Sequence, residues 1–414
     1  MKLLLLGAGV IGGEGMRVLQ HLLDLDLEGL PKEVELTIAD LNVDRAQELA
    51  DSLDGYKKVT AMQLDITDTD NLTEVAKDFD LVLNAVGPFV RFGVPTLKAV
   101  IASGTNYIDV CDEGDTTEDL LDLFDEAKEA GVTALINMGQ APGILNLQAK
   151  YIADKLDEVD TLKVVWHSGP PNVDLVRGTD LEESMQYIFD FEDDVTGEKF
   201  IEFSPACWDH LVHSATGQIP IWKDGKRAMV EAFDSGEYFD FSGDIGRVPV
   251  YLFGHPEPIT LPRYIDIKDY SACLGTLKSD PAIRKAARGH EDPVHPPVEP
   301  DAPLYEMPDA WKDLGAFQGQ AAIAEGTEDG KRVRYTSRWL QSVFDRGVYA
   351  YGGNPIGIYL MYKHKDNFPK GVFAPEGLID TEEFFNVLVK LTNSMHDWDM
   401  SFEELLPIQR EVLE

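Results

Sequence analysis

The sequence predicts an α/β protein: a doubly wound parallel sheet in the first third, with a smaller α+β domain inserted after it. Short apolar runs alternate there with amphipathic helical stretches, which is the pattern of parallel strands joined by crossover helices. The runs are Leu3–Leu6, Val34–Ala39, Val59–Leu64, Leu81–Val86, Tyr107–Ile108 and Val132–Ile136. After Gln140 the alternation ends, and strand-like segments separated by turn-forming residues indicate a mixed or antiparallel sheet.

Length and charge limit the classes of function. A chain of 414 residues is long enough for about two to three domains. Its 44% hydrophobic residues are typical of a globular protein. The formal net charge of -38 opposes binding to phosphate backbones and to anionic lipids, which require clustered Lys and Arg. We therefore expect no nucleic-acid or membrane partner.

Cysteine usage and hydropathy indicate the compartment. The 3 cysteines lie far apart and lack the paired spacing of a disulfide framework or a zinc site. The longest uncharged stretches, 132–149 and 347–362, are interrupted by polar residues, Gly and Pro. Neither resembles the roughly 20 apolar residues of a membrane span. The sequence thus predicts a soluble cytoplasmic protein.

A glycine-rich turn follows the first apolar run. Gly7, Gly9 and Gly12 form the pattern GxGxxG between a buried strand and a helix. The first glycine permits a tight turn, the second lets the backbone approach a pyrophosphate, and the third allows close helix packing. The helix N-terminus, with Val10 and Ile11, offers N–H groups to the phosphates. These features predict a Rossmann-type dinucleotide-binding domain.

Asp40 ends the second strand, where a carboxylate accepts hydrogen bonds from ribose hydroxyls and repels a 2′-phosphate. We therefore predict NAD, with NADP less favoured. Two alternatives remain at this stage: Asp40 caps the next helix, or the nearby Arg45 accommodates a 2′-phosphate.

Further polar and turn-forming residues end the next two strands. Asp65 is placed to face the adenine, although it could equally belong to a helix-capping turn. Asn84, Gly87 and Pro88 leave the fourth strand, where the ribose and nicotinamide are expected.

The change of pattern after Gln140 and the return of apolar helices near the end predict the domain boundaries. Residues 1–140 and about 350–414 are expected to form the dinucleotide-binding domain. Residues 141–349 are expected to form a substrate-binding and dimerisation domain. Within the latter we predict helical segments at Asp269–Leu277 and Pro281–Arg288, and an extended Pro-rich excursion over His290–Pro308.

Several motifs resemble the saccharopine dehydrogenase-like oxidoreductases. They are Gly87–Phe89, Gly93–Pro95, Gly104–Asp109 with Glu113, Gly139–Asn146, Leu156–Val159, Gly254–Pro258, Thr260–Arg263 and Gly371–Glu376. Within this family, Ala141-Pro142-Gly143 followed by Asn146 resembles the lysine 6-dehydrogenase branch. The resemblance implies hydride transfer between a nicotinamide and a carbon that bears nitrogen, and a homodimer.

Oxidation of an amine requires a neutral nitrogen, because an ammonium group has no lone pair to expel the hydride. Since the pKa of such an amine is about 10.4, a base is needed at neutral pH. His255, in a Gly-His-Pro-Glu turn with Glu257, is the candidate base. Asp109, at the end of the fifth strand, is placed to stabilise iminium charge. The alternative for His255 is a purely structural histidine, and the alternative for Asp109 is a cap of the following helix.

The sequence supports residues that contact the substrate less strongly than it supports the candidate base. Arg263 is suited to bind a carboxylate bidentately, although a solvated arginine explains it equally well. Glu113 and Asn146 are further candidates, and the chemistry requires no metal.

The sequence therefore predicts an NAD(P)-dependent oxidoreductase acting on a C–N bond of an amino acid or related amine. One alternative is a saccharopine or carboxynorspermidine-type reductase that forms a secondary amine. Another is a dinucleotide-binding sensor without catalysis.

Overall fold

A computed structural model describes residues 1–168, 210, 213–215, 217–241, 243, 245–277, 300–301, 303–306, 316–342 and 352–413. The chain divides into two compact units. The first comprises Met1–Leu147 and Asp345–Phe402, and the second comprises Gln148–Phe344 and Glu403–Glu414. Residues 403–414 were expected in the dinucleotide-binding domain but belong to the second unit, and residues 141–147 were expected in the second domain but belong to the first unit.

The first unit is a parallel sheet with helices between its strands. Its strands are β1 (Lys2–Leu6), β2 (Glu35–Asp40), β3 (Lys58–Gln63), β4 (Leu81–Asn84), β5 (Asn106–Asp109), β6 (Thr133–Leu135) and β15 (Gly371–Phe373). Its helices are α1 (Val10–Leu23), α2 (Val43–Ser52), α3 (Thr69–Ala76), α4 (Phe89–Ser103), α5 (Gly114–Leu121), α6 (Phe124–Glu129), α9 (Gly353–Lys363) and α10 (Thr381–His396), with α7 (Ile144–Ala153) running into the second unit.

The strand order is β15-β6-β5-β4-β1-β2-β3, and every neighbouring pair is parallel. Successive strands are added on one side of β1 up to β3 and on the other side from β4 onward. This change of side between β1 and β4 creates a crevice at the carboxyl ends of these two strands. Leu3–Leu6 is fully buried because helices cover both faces. The predicted doubly wound sheet is confirmed.

The C-terminal segment completes this sheet. The short strand β15 pairs with β6, and a β-carbon on Gly15 of α1 would lie 2.5 Å from Asn354 Oδ1 of α9. Strand β15 could not be predicted from the sequence, because a strand of three residues shows no measurable periodicity.

The second unit is built on a mixed sheet. Its strands are β7 (Glu158–Ser168), β8 (Gln218–Lys223), β9 (Lys226–Glu231), β10 (Gly236–Asp240), β11 (Arg247–Leu252), β12 (Ile267–Leu277), β13 (Ala316–Glu328), β14 (Lys331–Ser342) and β16 (Ile408–Val412). The main order is β10-β11-β12-β7-β13-β14-β16, and β8 joins β12 to β9. Helices α8 (Glu257–Tyr264) and α11 (Phe402–Leu405) accompany the strands.

One secondary-structure prediction is wrong. Asp269–Leu277, predicted as helical, belongs to strand β12. It pairs with β7, β8 and β11, and Ser271–Leu274 are all buried. A strand buried on both faces loses the alternation that distinguishes it from a helix. The helix predicted at Pro281–Arg288 and most of the predicted excursion 290–308 lie outside the described residues.

Within the described part of the chain, none of the helices combines the length and apolarity needed to cross a bilayer.

Candidate functional site

The glycine turn between β1 and α1 has the geometry that a dinucleotide requires. Gly7 has a φ of +93°, and a β-carbon there would lie 2.9 Å from Val86 Cγ2. At Gly12 a β-carbon would lie 2.4 Å from the Gly7 carbonyl oxygen. At Gly9, by contrast, a β-carbon would meet no described atom within 4 Å. The turn is therefore closed at Gly7 and Gly12 and open at Gly9.

Gly9 is also the N-cap of α1, and it provides no side chain to cap the helix. The first N–H groups of a helix have no partner within the helix, and they carry partial positive charge. These N–H groups, with the open space at Gly9, fit the pyrophosphate of a dinucleotide.

Asp40 at the end of β2 is held by the backbone. Its Oδ2 accepts from Ala8 N–H and its Oδ1 from Asn42 N–H, both at 2.8 Å. The side-chain cap of α2 is Asn42, which accepts from the N–H groups of Asp44 and Arg45. Asp40 is thus not the cap that the alternative interpretation proposed. Each carboxylate oxygen keeps a further acceptor position for a ribose hydroxyl.

The residues after β3 and β4 have local structural partners. Asp65 Oδ1 accepts from the Thr67 N–H and hydroxyl, and these bonds lower the pKa of Asp65. This is the turn of the alternative interpretation, while a contact with adenine stays a prediction.

Asn84, at the end of β4, is buried. Its amide donates to the Tyr107 hydroxyl at 3.0 Å, and its oxygen accepts from Val86 N–H. Pro88 precedes α4 as its N-cap, and the preceding residue is Gly87.

Asp109 is completely buried at the end of β5. Its Oδ1 accepts from Asn137 N–H at 2.8 Å and from Cys111 N–H at 3.1 Å. Its Oδ2 is buried and makes no hydrogen bond of good geometry within the described residues. Burial raises the pKa of Asp109 to about 7, against the lowering effect of these N–H donors and of Tyr107. This carboxyl can hold or release a proton near neutral pH.

Glu113 has a structural task. Its Oε1 accepts from Phe89 N–H, the first N–H of α4, at 3.3 Å, and its Oε2 lies 3.6 Å from Cys111 Sγ. A carboxylate at a helix N-terminus stabilises the helix by interacting favourably with its dipole. The N-cap of α5 is Glu113, not Asp109, so the predicted alternative for Asp109 as a helix cap does not hold.

Asn146 contacts a residue that the sequence analysis did not select as functional. Its Oδ1 accepts from Gly143 N–H at 3.0 Å, and its Nδ2 donates to Glu376 Oε1 at 3.1 Å. Glu376 follows β15 and is only 2% exposed. It was quoted only as part of a resembling motif, because no local pattern shows that residues 230 positions apart in the chain meet.

In the second unit, His255 and Glu257 form a buried pair. Nδ1 of His255 lies 2.7 Å from Oε2 of Glu257, and the two residues are 3% and 0% exposed. His255 also contacts the rings of His210, Trp166 and Phe253. A carboxylate bonded to one ring nitrogen fixes the tautomer and orientation of the ring. Arg263 lies in the last turn of α8 with an exposed side chain, as a solvated arginine would.

Cys273 lies beside this pair, and donor atoms of the three residues lie within 4.8 Å of one another. Around a tetrahedral zinc ion, nitrogen and oxygen ligands would be about 3.3 Å apart. The 2.7 Å separation of His255 Nδ1 and Glu257 Oε2 is that of a hydrogen bond. As it stands, the pair is hydrogen-bonded, and this bond orients the ring of His255.

Comparisons with known proteins agree with this geometry. Residues 3–135 match the family described as the saccharopine dehydrogenase NADP-binding domain. A carboxynorspermidine synthase of Vibrio cholerae is 25% identical over 296 residues, which cover 66% of this chain and 63% of that protein. A saccharopine dehydrogenase-like oxidoreductase of Rattus norvegicus is 40% identical over 119 residues, 28% of each chain.

A solved structure shares the fold. The apo saccharopine dehydrogenase (L-Glu forming) of Saccharomyces cerevisiae superposes with a TM-score of 0.62 at 16% identity, covering 100% of both chains. The glycine turn, the strand order and the match over residues 3–135 show a nicotinamide-dinucleotide-binding domain. That domain, over residues 3–135, is of the saccharopine dehydrogenase type, which confirms the resemblance predicted from the motifs.

Proposed function

We propose that this protein transfers a hydride between a nicotinamide dinucleotide and a C–N bond, in the direction that reduces an imine to a secondary amine. The substrate class is an amino acid or a carboxylated polyamine. The observation that carries the proposal is the similarity to the carboxynorspermidine synthases over 296 residues. That match is longer than the dinucleotide-binding region 3–135, so it also includes residues beyond the cofactor domain.

In this proposal the glycine turn and Asp40 hold the dinucleotide, which supplies or accepts the hydride when bound. An imine accepts hydride more readily when its nitrogen is protonated, so the site needs a group that exchanges protons near neutrality. Asp109, with its pKa raised to about 7, meets that requirement in the first unit. In the second unit, His255, whose ring is oriented by Glu257, is the candidate for this role.

The cofactor proposal remains NAD, on the basis of Asp40, whereas the description of the matching family names NADP. The carboxylate of Asp40 would repel a 2′-phosphate. Arg45, in the first turn of α2, supplies the only compensating charge that the sequence analysis identified.

The experiment measures reduced nicotinamide by absorbance, with NAD and NADP supplied separately. The purified protein receives carboxynorspermidine, saccharopine or lysine as the amine, and the reverse reaction is followed with reduced cofactor. Turnover of a secondary amine is the expected result. Turnover of lysine alone would favour the oxidative lysine 6-dehydrogenase activity. Dinucleotide binding with no turnover of any amine would favour the sensor.

A further inference from the structure

We propose that Glu376 is a positioning residue for the reaction proposed above, on which this inference rests. Through Asn146 it fixes the loop Gly139–Gly143, which follows β6 at the carboxyl edge of the parallel sheet. Ligands of such sheets bind at this edge, and β4, β5 and β6 form the half of the sheet that receives the second mononucleotide.

The loop is tightly folded. The Gly139 N–H donates to the Pro142 carbonyl oxygen at 3.0 Å. Gly143 has a φ of +128°, and a β-carbon there would lie 2.1 Å from the Gly139 carbonyl oxygen. A side chain at Gly143 would therefore push Gly139 away and open the loop.

Hydrogen bonds connect the loop to Glu376 through one amide. Asn146 accepts from Gly143 N–H with its oxygen and donates to Glu376 with its nitrogen, at 3.0 and 3.1 Å. Asn146 is fully buried, and Glu376 is only 2% exposed. Since a backbone N–H must meet an oxygen and a carboxylate must meet an N–H, both ends of the amide are assigned by their partners. The carboxylate of Glu376 thus orients Asn146, and Asn146 orients Gly143.

The same C-terminal segment touches the loop a second time. A β-carbon on Gly353, the first residue of α9, would lie 2.2 Å from the Gly139 carbonyl oxygen. The loop is therefore held by backbone packing at Gly139 and, at Gly143, by the amide of Asn146, which Glu376 orients. A displacement of about 1 Å of a group that positions substrate can lower the rate by about 100-fold.

The test uses the full-length protein with the substitutions Glu376→Ala, Glu376→Gln and Asn146→Ala. Glutamine keeps an oxygen that can accept from Asn146, so it separates the hydrogen bond from the charge. Glu383→Gln is the matched control, because Glu383 is in the same C-terminal segment but pairs with Lys363 and His364. Amide hydrogen exchange at Gly143 reports the position of the loop without any need for turnover.

We expect Glu376→Ala and Asn146→Ala to accelerate exchange at Gly143 and to lower kcat by about 10- to 100-fold. KM for the amine and Kd for the dinucleotide should change little. Glu376→Gln should restore most of kcat and most of the protection of the Gly143 amide from exchange. The double variant Glu376→Ala/Asn146→Ala should be no worse than either single variant. Glu383→Gln should leave exchange at Gly143 unchanged.

Unchanged exchange and unchanged kcat in Glu376→Ala would overturn the proposal. It would also be overturned if Glu376→Gln raised KM for the amine as much as Glu376→Ala, because the carboxylate would then bind the substrate cation. If Glu376→Ala does not fold, Asn146→Ala breaks the same connection from the other end. A wild-type protein without turnover would contradict the proposed function, whereas the exchange data would still test the positioning role.

Discussion

Asp40 Oδ2 accepts a hydrogen bond from the Ala8 N–H at 2.8 Å, so the carboxylate that ends β2 is attached to the glycine turn that follows β1. The same carboxylate accepts from Asn42 N–H, next to the start of α2. Asp40 thus orders the two segments that meet at the crevice of the sheet, and its remaining acceptor positions are available to a ribose.

We expect the wild-type protein to bind NADH more tightly than NADPH. Asp40→Asn should lower the affinity for NADH about tenfold or more, since the loss of a charged hydrogen bond costs about 1.5 to 3 kcal/mol. Asp40→Asn should also reduce the ratio between the affinities for NADH and NADPH. Fluorescence titration with both cofactors gives the dissociation constants. Asp44→Asn, in the first turn of α2, is the control. Equal affinities in the wild type would contradict the assignment.

Gly9→Ala and Gly12→Ala separate cofactor binding from packing. At Gly9 a β-carbon meets no described atom within 4 Å and φ is -80°, so the free protein should keep its thermal midpoint. The added methyl group would occupy the space of the pyrophosphate and weaken dinucleotide binding. At Gly12 the contact with the Gly7 carbonyl oxygen should cost about 1 to 3 kcal/mol of stability. Thermal unfolding with and without dinucleotide distinguishes them; a Gly9→Ala protein with full affinity would refute the pyrophosphate site.

Asp109 should make stability depend on pH. Burial raises its folded-state pKa to about 7, above the unfolded value of about 3.9. The folded state therefore binds the proton more strongly. The stabilisation is fully present below the unfolded pKa and is lost as pH rises through about 7. Its size is on the order of 4 kcal/mol.

Urea unfolding of the wild type and Asp109→Asn at pH 5 and pH 8 measures this effect. Asparagine keeps an oxygen for the Asn137 and Cys111 N–H groups but cannot ionise. The wild type should lose more stability than the variant between the two pH values. Identical losses would show that Asp109 does not titrate in this range.

His255→Ala should lower turnover by about two to four powers of ten, as the loss of a general acid or base does, and should leave the affinity for NADH nearly unchanged. Glu257→Gln should have a smaller effect, because glutamine can still contact Nδ1 of His255. Steady-state kinetics with a secondary amine measures both. His364→Gln is the control, since His364 is half-buried and pairs with Glu383. Undiminished turnover in His255→Ala would make this histidine structural.

Salt should stabilise the protein. With a net charge of -38, repulsion among acidic groups opposes the compact state. The screening length falls from about 10 Å at 0.1 M salt to about 3 Å at 1 M. The thermal midpoint should rise with KCl, by about 2–4 °C for each kcal/mol gained. An uncharged osmolyte is the control, and a midpoint that falls with salt would contradict this explanation.

The parallel sheet could be predicted because its signals are local. Leu3–Leu6 ends in Gly7, and the glycine spacing to Gly12 carries the steric requirements of the turn. The helix assigned at Asp269–Leu277 failed because burial on both faces of β12 removed the alternation.

The sequence by itself determined the fold class, the glycine turn and the nature of the residues at the strand ends, since these depend on neighbours within a few positions. Tertiary structure alone decided which of those residues meet. Asp40 reaches Ala8, Asp109 acquires its raised pKa by burial in the fold, and Glu376 reaches Asn146. Such contacts join positions that are distant in the chain. Their energies depend on burial and on hydrogen bonds, which exist only after the chain has folded.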